Sequence, residues 1–236
     1  MSPKARNVLL FALVLLAAAF ATRRLADVPP GLHLDEIVSG YEAHCVAETG
    51  RDCHGAEHPA AIRGAHAPRE PLFIYFLSLV DRLWPLAPAA MRAANVFIFL
   101  LAGLALFVLV RAWDGDASAF FAALAFSVMP WAIMPARMAI RPLSMLPLLL
   151  IALYFSTVFR RSERAWHAVL SGLFAGLSLY AYTPRVFFAP VIVLATLAVA
   201  WRARPASARR YAAFALPVFL LVALPLLAAF FPATIR

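Results

Sequence analysis

Seven apolar stretches, at about 7–22, 89–110, 117–135, 141–159, 166–183, 185–201 and 211–231, dominate the chain. Each is close to the roughly 20 residues a helix needs to cross about 30 Å of hydrocarbon. Lipid offers no partner to backbone N–H and C=O groups, so such runs can only be helices that satisfy their own backbone. The composition agrees, with 64% hydrophobic and 14% charged residues. A soluble domain carries roughly 45–50% apolar and about 25% charged residues. A cytosolic globule, a disordered tail and a disulfide-stapled mini-domain are excluded. The expected fold is an all-α polytopic membrane protein with about seven transmembrane helices.

An eighth, weaker run at 72–87 carries Asp81, Arg82 and Pro85, and the basic residues decide its status. The formal charge of +9 rests on arginines in short clusters between apolar runs, plus Lys4. That pattern is a topology signal and sets nucleic-acid binding aside. Lys4/Arg6, Arg111, Arg160/Arg161/Arg164 and Arg202/Arg204/Arg209/Arg210 all fall on one side only if 89–110 is the sole crossing between residues 23 and 111. The stretch 72–87 is then an amphipathic helix at the outer surface. Eight full spans would place two arginine clusters outside. The predicted protein is multi-pass in the inner (plasma) membrane, with a cytoplasmic N-terminus and residues 23–88 as a periplasmic loop. Lys4, Arg6 and Ala19-Phe20-Ala21 also fit a cleaved signal peptide; with six further spans, a retained anchor is the expectation. No later loop exceeds about ten residues, so residues 1–236 read as a single transmembrane module.

Prolines 130, 135, 142, 147, 184, 190, 217 and 225 predict kinked or interrupted helices. Gly172 and Gly176 predict close packing of the fifth span on a neighbour.

Chemistry is confined to one place. Nine of the twelve carboxylates lie between Asp27 and Asp81, and five of the six histidines between His33 and His66. Within this segment Pro29-Pro30-Gly31 turns into Asp35-Glu36 at the start of a helix-like pattern. Such a pair is an ordinary N-terminal cap, but this one follows the first span at the membrane face, within reach of a lipid headgroup. Cys45 and Cys53 share the segment. An even count in an oxidising compartment points to a disulfide around Thr49-Gly50, with two free thiols as the alternative.

Several stretches appear in the order known from one superfamily: "HLDEIVSGYEAHCVAETGRDCHG", "REPLFIYFLSLVDRLW", "MRAANVFIFLLAGLALFVLV", "MPWAIMPARMAIRPLSMLPLLLIALYF" and "GLFAGLSLYAYTPRVFFAP". With its acidic pair, its Thr-Gly-x-Asp-x-x-Gly stretch and its Tyr-x-Tyr-x-x-Arg stretch, the chain resembles the N-terminal module of GT-C integral-membrane glycosyltransferases. Its nearest likeness is to relatives of protein O-mannosyltransferases and of the lipid A aminoarabinose transferase. The resemblance implies about seven spans, juxtamembrane helices in the long first outer loop, and a further C-terminal part in many relatives. It implies transfer of a sugar from a polyprenyl-phosphate donor to a lipid, glycan or protein acceptor. Asp35 would be the general base, with Glu36 orienting it or sharing a metal. Arg137, Arg141 and Arg185 would hold the donor phosphate, which guanidinium meets with paired donors, and Tyr180, Tyr182 and Glu70 would contact substrate. For the arginines the alternative is interfacial snorkelling, and for the tyrosines membrane-interface anchoring.

The chain departs from that pattern at two places. Several relatives carry Asp where this chain has Arg141, and Glu-Lys-Pro-Pro where it has Arg69-Glu70-Pro71-Leu72. No cofactor is firmly implied and a divalent metal is left open; His33, His54, His58 and Glu57 are alternative ligands in no recognised metal spacing. A non-catalytic membrane subunit that binds a lipid-linked sugar without turnover is the second reading. A transporter is disfavoured, since no span carries the carboxylate that ion-coupled carriers use.

Overall fold

The computed structural model describes residues 3–57, 59–63, 69–182, 185–203 and 205–230. They form α1 (Pro3–Thr22), α2 (Leu34–Thr49), α3 (Pro71–Leu83), α4 (Pro88–Asp114), α5 (Asp116–Val128) and α6 (Pro130–Ala136). A 3₁₀ turn (Arg141–Ser144), α7 (Met145–Ser162), α8 (Ala165–Ser178), α9 (Arg185–Ala203) and α10 (Pro205–Phe230) follow. Strand pairing among the described residues amounts to the bridges Arg51–Glu57 and Ile62–Arg69.

Local sequence sets the breaks. Pro88 occupies the first turn of α4, where its missing N–H costs nothing. Gly115, at φ +89°, ends that helix and starts α5 in one residue, a conformation most side chains resist. Pro130 holds Met129 in the extended region, and α5 and α6 bend by 59° there.

The chain divides into two compact units, one of residues 1–58 and 73–147, the other of residues 59–72 and 148–236. In the first, Phe107 of α4 packs with Ala119 and Ala123 of α5 and with Leu10 and Leu13 of α1. Phe99 stacks on Phe126, with ring centroids 5.0 Å apart. Arg111 pairs with Asp116 at 2.9 Å, and Arg6 reaches the same carboxylate at 4.0 Å. The N-terminal end of α1 and the C-terminal end of α4 therefore lie together. In α2, a Cβ on Gly40 would come within 2.7 Å of Met91, which measures how closely that helix approaches α4.

In the second unit, α8 lies against α10 through the two glycines singled out above. A Cβ on Gly172 would meet the Ala215 carbonyl oxygen at 2.3 Å, and one on Gly176 the Val222 Cβ at 2.8 Å. Inside, the Ser171 hydroxyl donates to the Ala152 carbonyl and bonds the Tyr211 hydroxyl at 2.8 Å, so buried polar groups are satisfied by neighbouring helices.

Among the described residues four helical stretches are long and apolar enough to cross a membrane: Lys4–Thr22, Pro88–Asp114, Arg141–Ser162 and Pro205–Ala229. The bent pair α5–α6 makes a fifth if it counts as one span. Ala165–Ser178 is shorter, and Ala189–Val199 is an apolar stretch within the 19-residue α9. The chain is an all-α polytopic membrane protein, and the count of seven stays an expectation for α8 and α9. Large apolar side chains such as Phe11, Leu15, Phe20, Leu221 and Leu224 stand exposed along α1 and α10, as lipid-facing surfaces require.

Candidate active site

His33, not Asp35, caps α2. Its Nδ1 accepts from the Asp35 amide at 3.2 Å, while the Glu36 carboxylate accepts from the His33 amide at 2.9 Å, closing a capping box. Asp35 is therefore the second helical residue. Successive helix residues are turned by about 100°, so the two adjacent carboxylates face different surroundings.

Glu36 is fully buried. Its Oε1 accepts from Arg92 Nε at 2.9 Å and from the Ala139 amide at 2.9 Å; its Oε2 accepts from Arg92 Nη2 at 3.2 Å as well as from His33. Burial alone would push its pKa up, but the Arg92 hydrogen bond, the Ala139 and His33 amides and the Arg92 charge hold it below the ordinary carboxylate value. Arg92, in the first turns of α4, also donates to the carbonyls of Leu25 and Pro29 at 3.0 Å and of Gly31 at 2.5 Å. All five guanidinium N–H groups are thus engaged.

Arg137 makes a second set of such bonds. It donates to the carbonyls of Phe20 and Ala21, which close α1, and of Arg23 and Val28 beyond it. A helix end leaves such carbonyls without intrahelical partners, and here a guanidinium supplies them. One turn after Arg92, Asn95 donates to the carbonyls of Pro135 (2.7 Å) and Met138 (2.5 Å). The start of α4 thereby holds both loops of the site, the turn before α2 and the turn before Arg141.

The Asp35 side chain is 43% exposed, with Arg141 Nη2 at 3.8 Å and His33 Nδ1 at 3.9 Å. Arg141 is itself only 14% exposed. The chain thus sets a cation beside the Asp35 carboxylate. Asp35, Glu36 and Arg141 are brought together; Arg137 is spent on backbone carbonyls of the same region.

Glu70, Tyr180, Tyr182 and Arg185 belong to the second unit. Glu70 is buried just before α3. Leu72 donates its amide to the Tyr180 carbonyl at 3.0 Å, and the Tyr180 hydroxyl donates to the Val222 carbonyl at 2.7 Å. Tyr182 is half-buried. Arg185 opens α9, but its side chain lies outside the described residues, as does His58. Cys45 and Cys53 are disulfide-bonded. Glu57 pairs with Arg51, and His54 is exposed. Among the described residues no three His, Cys, Asp or Glu side chains converge to hold a metal ion.

Arg92 and Asn95 are the site-forming residues that sequence reasoning missed. For Arg92 the available signal was an ionisable side chain at the start of an apolar span, which marks either a buried partner or an interfacial flank.

No protein family's sequence profile matches the chain, and no curated protein matches it. Among solved structures it is similar to the crystal structure of ArnT from Cupriavidus metallidurans bound to undecaprenyl phosphate. The TM-score is 0.72 at 18% sequence identity, over the whole of this chain and 42% of that one. The likeness is one of fold, and the chain spans less than half the length of that protein.

Proposed function

We propose that this protein moves a sugar from a polyprenyl-phosphate donor to an acceptor at the periplasmic face of the inner membrane, with Asp35 as general base. One contrast carries the reading. Of two adjacent acids at the start of α2, Glu36 has both oxygens doubly bonded and buried, while Asp35 is presented to solvent beside Arg141. The likeness of the fold to a structure bound to undecaprenyl phosphate supports the donor class.

In the proposed step Asp35 takes the proton of the acceptor nucleophile as that atom bonds to the anomeric carbon. The bond from that carbon to the phosphate oxygen breaks, and its electron pair leaves with the polyprenyl phosphate. Arg141 meets the negative charge that develops on the departing phosphate. Glu36 acts as a positioning residue through Arg92, and with four of its N–H groups on carbonyls Arg137 belongs to the same scaffold. Glu70, Tyr180 and Tyr182, as substrate-binding groups, and Arg185, on the donor phosphate, enter the proposal only on the family resemblance.

The test is turnover of polyprenyl-phosphate-linked sugars by wild type and Asp35→Asn. A general base contributes about 10²–10⁴-fold, so transfer should fall at least a hundredfold with expression unchanged. Equal turnover would rule out Asp35 as base. Saturable polyprenyl-phosphate binding by a wild type that turns over no donor would favour the non-catalytic subunit.

A further inference from the structure

The last turns of α9 and the first turns of α10 enclose a groove of about 350 Å³ lined by Leu197, Ala198, Trp201, Ala208, Arg209 and Ala212. Apart from the arginine stem, its walls are apolar, and both Trp201 and the Arg209 side chain are exposed. Arg202 and Arg210 stand exposed on the same two helices. After Glu163 the sequence contains no Asp or Glu at all. No carboxylate of this stretch of chain can neutralise these guanidinium groups.

We infer that this groove is a binding site for one anionic phospholipid, an acyl chain along its apolar wall and the phosphate on Arg209. The complementarity is twofold. A water-soluble anion would leave the apolar wall uncovered, and a neutral lipid would leave the arginines without counter-charge. Guanidinium meets a phosphate with paired donors, exposed Trp suits the headgroup level, and basic pockets between membrane helices take anionic headgroups. A general topology signal needs only the charges, not a groove beneath them. The inference stands apart from the proposed sugar transfer.

Native mass spectrometry of the full chain in detergent, titrated with dioleoyl phosphatidylglycerol or dioleoyl phosphatidylcholine, tests it. One saturable phosphatidylglycerol adduct is expected, at least fivefold tighter than any phosphatidylcholine adduct. Arg209→Gln should weaken it about fivefold, the value of one basic side chain at an anionic surface. Ala198→Trp fills the groove from an exposed wall position without altering charge and should abolish the adduct. Arg160→Gln, at the end of α7 and outside the groove lining, should leave it unchanged. The inference is overturned by equal binding of the two lipids, by absence of a saturable adduct, or by retention of wild-type binding in either groove variant. An equal loss in Arg160→Gln also overturns it, because it would mean diffuse charge attraction.

Discussion

Asp35 and Glu36 are chemically near-identical and adjacent, yet α4 treats them as opposites. Removing the Glu36 charge leaves Arg92 buried without its counter-ion, and breaking a buried pair from one side costs about 3–5 kcal/mol. Asp35 keeps 43% of its side chain exposed, and an exposed ion pair is worth about 0–1 kcal/mol. Glu36→Gln should therefore lower the thermal midpoint sharply, while Asp35→Asn moves it little and removes turnover. Reversed behaviour in thermal unfolding would contradict the assignment of roles. The sign with pH follows from the lowered pKa of Glu36. Its contribution is present above the unfolded value near 4.5 and is lost as the pH falls through the lower folded one, so wild type should lose on acidification a stability that Glu36→Gln has already lost. The acidic pair at a helix start was legible from Pro29-Pro30-Gly31 and the pattern after it. Its partner was not. Arg92 lies 56 residues beyond Glu36, and an arginine at the edge of an apolar run reads equally well as a snorkelling flank. Arg137 is the same case, since nothing local reveals that its donors reach the carbonyls closing α1.

Among the elements, α3 explains the weak eighth apolar run. Its charges, awkward for a span, dock it onto α2. Asp81 bonds His44 at 2.7 Å and accepts the Leu86 amide, while Arg82 donates to the carbonyls of Val46 and Ala47 at the end of α2. The Asp81 hydrogen bond and charge, with a smaller share from Glu48, raise the His44 pKa against a slight desolvation penalty. A raised folded value means stabilisation that is complete below the unfolded value near 6.5 and fades as pH rises through the folded one. Between pH 6 and 9 the wild-type midpoint should fall, and His44→Gln should flatten that fall; parallel curves would contradict the latch. The Gly172/Gly176 spacing predicted close packing from sequence, and here the geometry sets the size of the effect. A side chain at Gly172 meets backbone rather than a movable side chain. Gly172→Val should cost about 1–3 kcal/mol or more by overpacking, read as a lower thermal midpoint.

At the scale of the molecule, the class was legible because lipid demands long apolar helices, but the number of crossings is a finer matter. A 14-residue helix such as α8 spans about 21 Å at 1.5 Å per residue, against about 30 Å of hydrocarbon. Apolar runs counted in sequence pass straight through the prolines and turns that shorten the helices themselves. In the first unit the sidedness has structural support, since Arg6 and Arg111 meet at Asp116 while Arg137 closes the opposite end of α1. Across α8 and α9 the arginine clusters cannot decide, because two crossings and none place Ser162 and Ala206 on the same side. Only a position between the two helices separates the cases. Cysteines introduced singly by Leu32→Cys, Asp114→Cys, Ser162→Cys, Tyr182→Cys and Ala206→Cys, in the chain whose own cysteines are bonded to each other, should divide under an impermeant thiol reagent. Those at 32 and 182 are expected to label on intact cells, and those at 114, 162 and 206 only after permeabilisation. Labelling at 182 that tracks 162 and 206 would reduce the crossings to five. Labelling at 114 on intact cells would overturn the orientation altogether, since the end of α4 shares a carboxylate with the end of α1 that carries the basic N-terminus.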